Sequence, residues 1–150
     1  MKIVVIGGRG LIGSKVATKL SAQRHDVIAA SRRSGVDSLT GEGLANAVAG
    51  ADVLVDVADS PLFEDEPVMH FFTTTTTNLL AAEQEAGVKH HVALSVVGAQ
   101  TMPDSGYNCC RISEGLITLW HNRRQDLIGN VGYWRSIIRR SRVRAPPAPP

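Results

Sequence analysis

The chain has 150 residues, of which 43% are hydrophobic, 20% charged and 5% aromatic. That is enough apolar side chain for one self-sufficient core, and it excludes collagen-like, disulfide-scaffold and wholly disordered classes. The apolar runs at residues 2–6 and 53–57 are far too short to span a bilayer. Met1 leads straight into a strand-like segment rather than a secretory leader, so a cytoplasmic protein without a membrane partner is expected.

The net charge of +2 is unevenly spread. Residues 1–120 carry 9 basic and 13 acidic groups, net −4, whereas residues 121–150 hold seven arginines against Asp126, net +6. Four of the seven prolines lie in the last five residues. Such a tail fits either a basic nucleic-acid-binding extension or sequence never selected to pack. The lack of interleaved aromatics or a recognition helix disfavours nucleic acid. Cys109 and Cys110 are adjacent, a spacing that strains a mutual disulfide, and no second pair completes a zinc site. His90 and His91 point to opposite sides if they begin a strand, so no metal is expected.

Residues 2–6 form a continuous β-branched run that suits a central parallel strand covered on both faces. A glycine turn follows, and residues 11–22 show helical spacing of apolar positions. Residues 26–30 read as a second strand, ending at Ser31-Arg32-Arg33. A short extended piece near Val36 and Asp37 precedes a short helix over residues 41–49, stopped by Gly50. Residues 52–57 are another buried strand, residues 66–86 a long helix closed by Gly87, and residues 91–97 the next strand. The threonines at 73–77 are poor helix formers, so Phe71, Phe72, Leu79 and Leu80 must anchor that helix through packing. Strands alternating with helices at these intervals predict βαβ units and an α/β fold with a parallel sheet.

The motif with chemical content is Gly7-x-x-Gly10-x-x-Gly13, placed between the first strand and the first helix. A pyrophosphate needs close backbone approach without a Cβ, bare N–H donors such as those of Leu11 and Ile12, and the positive end of a helix dipole. Gly7 allows the tight turn, Gly10 the close approach, and Gly13 the contact between helix and strand. This context predicts dinucleotide binding. At the end of the second strand, NAD sites usually place an acid for the ribose 2′-OH. Here the chain has Ser31, Arg32 and Arg33, with no acid until Asp37. Guanidinium groups suit a 2′-phosphate, and Arg9 offers a third cation, so NADP is favoured over NAD.

The turn Gly7-Gly8-x-Gly10-x-x-Gly13, the stretch Ala49-Gly50-Ala51-Asp52-Val53, and Ala86-Gly87-Val88-Lys89-His90 followed by Leu94-Ser95-Val96-Val97-Gly98 resemble the atypical short-chain dehydrogenase/reductases. Within them the likeness is to the NmrA-like, NAD(P)-binding branch, over about residues 1–118. It implies a Rossmann-type, doubly wound sheet in which Val57 and Ala58 flank a cofactor ribose. It also implies a catalytic serine and a Tyr-x-x-x-Lys pair, matched by Ser95 and by Tyr107 with Arg111 in the lysine position. Tyrosine would protonate a carbonyl oxygen as hydride arrives, the cation would lower its pKa, and serine would hold the oxygen. Arginine supplies the charge but does not deprotonate.

Beyond residue 118 the resemblance ends, and residues 119–150 read as a non-homologous Arg/Pro-rich tail. The C-terminal strands and substrate lobe are thus expected to be missing, leaving an open sheet edge that invites self-association. The expected function is an NADP-binding oxidoreductase acting on a small carbonyl-type substrate. The alternatives are a non-catalytic redox sensor that signals to a protein partner, and an inactive fragment.

Overall fold

The computed structural model describes residues 1–62 and 64–95. In chain order these form β1 (Lys2–Ile6), α1 (Leu11–Ala22), β2 (Asp26–Ala30), a 3₁₀ turn (Arg32–Ser34), α2 (Leu44–Val48), β3 (Val53–Asp56), α3 (Asp65–Ala86) and β4 (His90–Ala93). The strands make one parallel sheet in the order β2-β1-β3-β4. This is the α/β, Rossmann-like arrangement expected from the alternation of strand and helix patterns. Residues 96 and 97 of the last expected strand lie outside the described residues, as do Tyr107, Arg111 and the tail.

β1 lies inside the sheet because Ile3, Val4, Val5 and Ile6 are apolar on both faces, and all four are buried. On one face Val4, Ile6, Ala30 and Leu54 pack with Leu44 and Val48 of α2 and Leu79 of α3. Full burial of a leucine such as Leu54 or Leu79 stabilises the fold by about 1.5–3 kcal/mol. The amphipathic helix α1 packs against β1 and β2.

In α3 the threonine run is helical throughout. Thr75 and Thr76 are buried, and the hydroxyls of Thr75 and Thr77 donate to the carbonyls of Phe72 (3.3 Å) and Thr73 (2.8 Å). Turning the hydroxyl back onto the preceding turn satisfies it locally, so packing of Val68, Leu79 and Leu80 overrides the poor propensity. The extents of α2, β3 and β4 differ from the sequence expectation; the strand expected over residues 91–97 runs only His90–Ala93, with Leu94 and Ser95 beyond its end. The helix expected over residues 41–49 starts only after Gly43, because Gly41 (φ 83°) and Gly43 (φ 71°) adopt the left-handed region. The strand expected over residues 52–57 is confined to Val53–Asp56, with the Asp52 carboxylate accepting the Lys2 amide at 3.0 Å.

Sheet order fixes where a site can form. From β1 the chain moves to β2 on one side and then returns to place β3 on the other. The carboxyl ends of β1 and β3 therefore flank a topological switch point, the place where open α/β sheets leave a crevice for a ligand.

Candidate functional site

The crevice at that switch point is a cleft of about 730 Å³. Its first wall is the glycine turn. The Gly8 amide donates to the carbonyls of Val5 (3.2 Å) and Ala30 (3.0 Å), and the Gly10 amide to Gly7 (2.9 Å). These bonds fold the backbone back before α1 begins. Gly10 is the N-cap of α1 and brings no side-chain acceptor, and no acid stands in the first turn. The amides of Leu11, Ile12 and Gly13 cannot bond within the helix, so this N-terminus offers bare donors and a positive dipole end. All four residues line the cleft.

The three motif glycines serve different ends. A Cβ on Gly13 would run into the Gly7 carbonyl oxygen and lie 2.8 Å from the Gly8 Cα, so Gly13 sets the helix against the turn. A Cβ on Gly7 would lie 2.8 Å from the Val57 carbonyl oxygen, so Gly7 admits the loop after β3. At Gly10 a Cβ would meet, among the described residues, only the Gly7 oxygen, at 3.2 Å. Its missing side chain leaves open space beside the donors, which is the cradle that a pyrophosphate requires. Gly8 was not assigned a role from sequence, yet a Cβ there would lie 2.7 Å from the Ala29 Cα.

Val57 and Ala58 form the opposite wall. The Val57 amide donates to the Ile6 carbonyl (3.1 Å), and the Ala58 amide to Oδ1 of Asp56 (3.0 Å). A third wall comes after β2. Ser31 and Ser34 close a reciprocal capping box around the 3₁₀ turn. Ser31 and Arg32 line the cleft, whereas Arg33 and Arg9 are exposed and do not. The neighbouring loop carries Asp37, whose carboxylate accepts the Leu39 amide at 2.8 Å. Asn78, reaching from α3, donates to the carbonyls of Ser38 and Leu39, both at 3.0 Å. The outer rim is apolar and aromatic, with Leu62, Pro67, Phe71, Phe72 and Leu94. Ser95 follows Leu94, exposed, but is not part of the lining.

Three titratable side chains meet on the sheet face that α2 and α3 cover. Nδ1 of His91 and Oε1 of Glu83 share a hydrogen bond of 2.6 Å, with both side chains fully buried. Burial pushes the Asp56 carboxyl above its ordinary value, against the Ala58 amide and the charge of His91, which lower it, and with Glu83, which adds to the rise. Sequence reading missed Asp56, Glu83 and Asn78. The first two had a signal, since each is an acid inside an apolar run or stripe (residues 53–57, and Leu79 and Leu80 before Glu83). Asn78 had none, because its partners lie about 40 residues away.

Residues 3–107, more than two thirds of the chain, match the model of the NAD dependent epimerase/dehydratase family. The chain belongs to this family. The cleft fits the nicotinamide dinucleotide that the family's description implies: the Gly10 ledge and the uncapped start of α1 suit its pyrophosphate. No curated protein matches the chain. Solved structures show the same fold. A UDP-N-acetylglucosamine 4-epimerase from Bacillus cereus superimposes with a TM-score of 0.67 at 18% identity, over 83% of this chain and 55% of its own. A dTDP-4-dehydrorhamnose reductase from Yersinia enterocolitica gives 0.65 at 18% identity, over 81% and 49%. A short-chain dehydrogenase/reductase superfamily protein from Agrobacterium tumefaciens with bound NAD gives 0.63 at 21% identity, over 79% and 44%. The family member described here thus spans about half the length of these structures. Among the described residues, no helix is long and apolar enough to cross a membrane, and no three His, Cys, Asp or Glu side chains are grouped to hold a metal ion.

Proposed function

We propose that the chain is the dinucleotide-binding part of a short-chain dehydrogenase/reductase-type oxidoreductase that uses NADP and acts on a small carbonyl-type substrate. The observation that carries this reading is the uncapped N-terminus of α1 opening onto the cleft beside Gly10, with Arg32 on the adjoining wall. The amides of Leu11 and Ile12 would hold the pyrophosphate and Arg32 a 2′-phosphate, while Val57 and Ala58 would bound a ribose. Arg9 in the glycine turn and Arg33 beside Arg32, both exposed, would add long-range attraction for the phosphates. When bound, the cofactor supplies or accepts hydride. Ser95, Tyr107 and Arg111 are the residues proposed to orient the substrate oxygen and move its proton. The NmrA-like branch is the part of the superfamily that the motifs resemble, and the nucleotide sugars named for the solved epimerase and reductase are a second substrate class to test. A dinucleotide-binding regulator without turnover is the second reading, favoured by arginine at position 111 in place of lysine.

Fluorescence titration tests the cofactor assignment. NADPH should bind at least about tenfold more tightly than NADH, since one charge-assisted contact contributes about 1.5–3 kcal/mol. Arg32→Ala should erase that preference. Tighter binding of NADH, or a preference untouched by Arg32→Ala, would refute NADP. Steady consumption of NADPH with a carbonyl panel, lost in Tyr107→Phe, supports the enzyme, and binding without turnover supports the regulator.

A further inference from the structure

Asp56, His91 and Glu83 come together from β3, β4 and α3 on the sheet face that α2 and α3 cover. The register pairs Leu54 with His91 and Asp56 with Ala93, so Asp56 and His91 share that face as diagonal neighbours on adjacent strands. Glu83 meets His91 from above through the 2.6 Å bond. Among the described residues, Oε2 of Glu83 and Nε2 of His91 are both buried with no hydrogen-bond partner. Groups buried in that state are rare in native proteins, and a hydrophobic pair would pack this position with less cost. Asp56 carries the effect outward, because its Oδ1 accepts the Ala58 amide and Ala58 lines the cleft facing Gly7.

The geometry points to Asp56 as a positioning residue for the cofactor cleft, with the buried His91–Glu83 pair setting its charge and so making the seat of Val57 and Ala58 depend on protons. This rests on the cleft being the dinucleotide site proposed above. Ionised Asp56 grips the Ala58 amide by a charge-assisted bond, and the neutral carboxyl grips it more weakly. Among the described residues, the charges acting on Asp56 are those of His91 and Glu83, while Asp59, and His70 of α3, line the cleft beside Ala58. α2 contributes no titratable side chain, β1 presents Val4 and Ile6 to this face, and His90 lies exposed on the other face. Lys89 and Asp52 pair with each other at the opposite end of the strands.

The two partners act on Asp56 with opposite signs, and that gives the test. Dinucleotide affinity of the whole chain is measured against pH for the wild type, Asp56→Asn, Glu83→Gln and His91→Gln. In the wild type, affinity should rise about fivefold as Asp56 ionises, the difference between a neutral and a charge-assisted bond. Asp56→Asn should lose that step, read with NADH as the probe so that no 2′-phosphate titrates. Glu83→Gln keeps an acceptor for Nδ1 and should move the midpoint to lower pH, whereas His91→Gln should move it to higher pH. A purely structural role would weaken binding in all variants without moving midpoints in opposite directions. Should His91→Gln fail to fold, Glu83→Gln still decides the matter. The Ala58 amide resonance, followed by NMR in the unliganded protein, should titrate with the same midpoints. An Ala58 amide that does not respond to pH, or a midpoint unchanged in Glu83→Gln, would overturn the inference. Failure of the wild type to bind any dinucleotide would instead refute the reading of the cleft, and the NMR titration would still judge the coupling of the three side chains.

Discussion

Alanine at Gly10 and at Gly13 should separate binding from folding. At Gly13 the new Cβ collides with backbone atoms of Gly7 and Gly8, which cannot swing aside as a side chain would. Overpacking of this kind costs about 1–3 kcal/mol, offset by up to about 1 kcal/mol from the better helix propensity of alanine. A net loss near 2 kcal/mol lowers Tm by about 4–8 °C in a chain of this size. At Gly10 the backbone is extended (φ −76°, ψ −179°), a conformation that any residue adopts, and the new Cβ has one neighbour at 3.2 Å. The poorer N-cap and the reduced freedom of the unfolded chain roughly cancel, leaving stability within about 0.5 kcal/mol. The methyl group would, however, stand beside the α1 amides. Calorimetric titration should show dinucleotide affinity falling at least about tenfold, or about 1.4 kcal/mol, in Gly10→Ala. A folded Gly10→Ala protein that binds dinucleotide like the wild type would refute the reasoning.

Asn78→Ala removes the two bonds that tie residues 38 and 39 to α3, and should cost about 1–2 kcal/mol of stability with a parallel loss of dinucleotide affinity; unchanged affinity would detach this loop from the site. Asp56→Asn tests linkage. With its folded value raised above 3.8, the folded protein holds the proton more tightly than the unfolded chain, so the Asp56 contribution to stability falls as pH rises between the two values. Asparagine removes that loss, and urea melts should show the variant gaining on the wild type as pH rises above the ordinary carboxylate value; a pH-independent difference would contradict the assignment. Arg24→Gly should stabilise α1 by about 1 kcal/mol, because Arg24 ends the helix at φ 64°, where a Cβ is unfavourable; thermal melting reads the change.

Much of this architecture was legible because its signals are local. The buried run of residues 2–6 and the glycine spacing before α1 needed no tertiary information, and Gly87 (φ 72°) stops α3 where its sequence said. The limits of α2 were less legible, since Gly41 and Gly43 take left-handed conformations that composition alone does not announce. The site divided along similar lines. Leu11, Ile12, Val57 and Ala58 meet at one cleft because parallel strands put the turns after β1 and β3 side by side. Arg32 and Arg33 are adjacent in sequence and share the 3₁₀ turn, yet only Arg32 reaches the lining. Asn78, Glu83 and His91 act across the fold, where sequence spacing carries little information. Acids inside apolar segments, Asp56 and Glu83, were the readable trace of that hidden cluster.

On the reading proposed above, the N-terminus of α1 holds the diphosphate bridge of a nicotinamide dinucleotide. A crystal structure with NADPH tests it most directly. Pyrophosphate oxygens should lie within hydrogen-bond distance of the Leu11 and Ile12 amides, over Gly10, with the 2′-phosphate at Arg32. A dinucleotide bound elsewhere, or a cleft that stays empty at saturating NADPH, would contradict it.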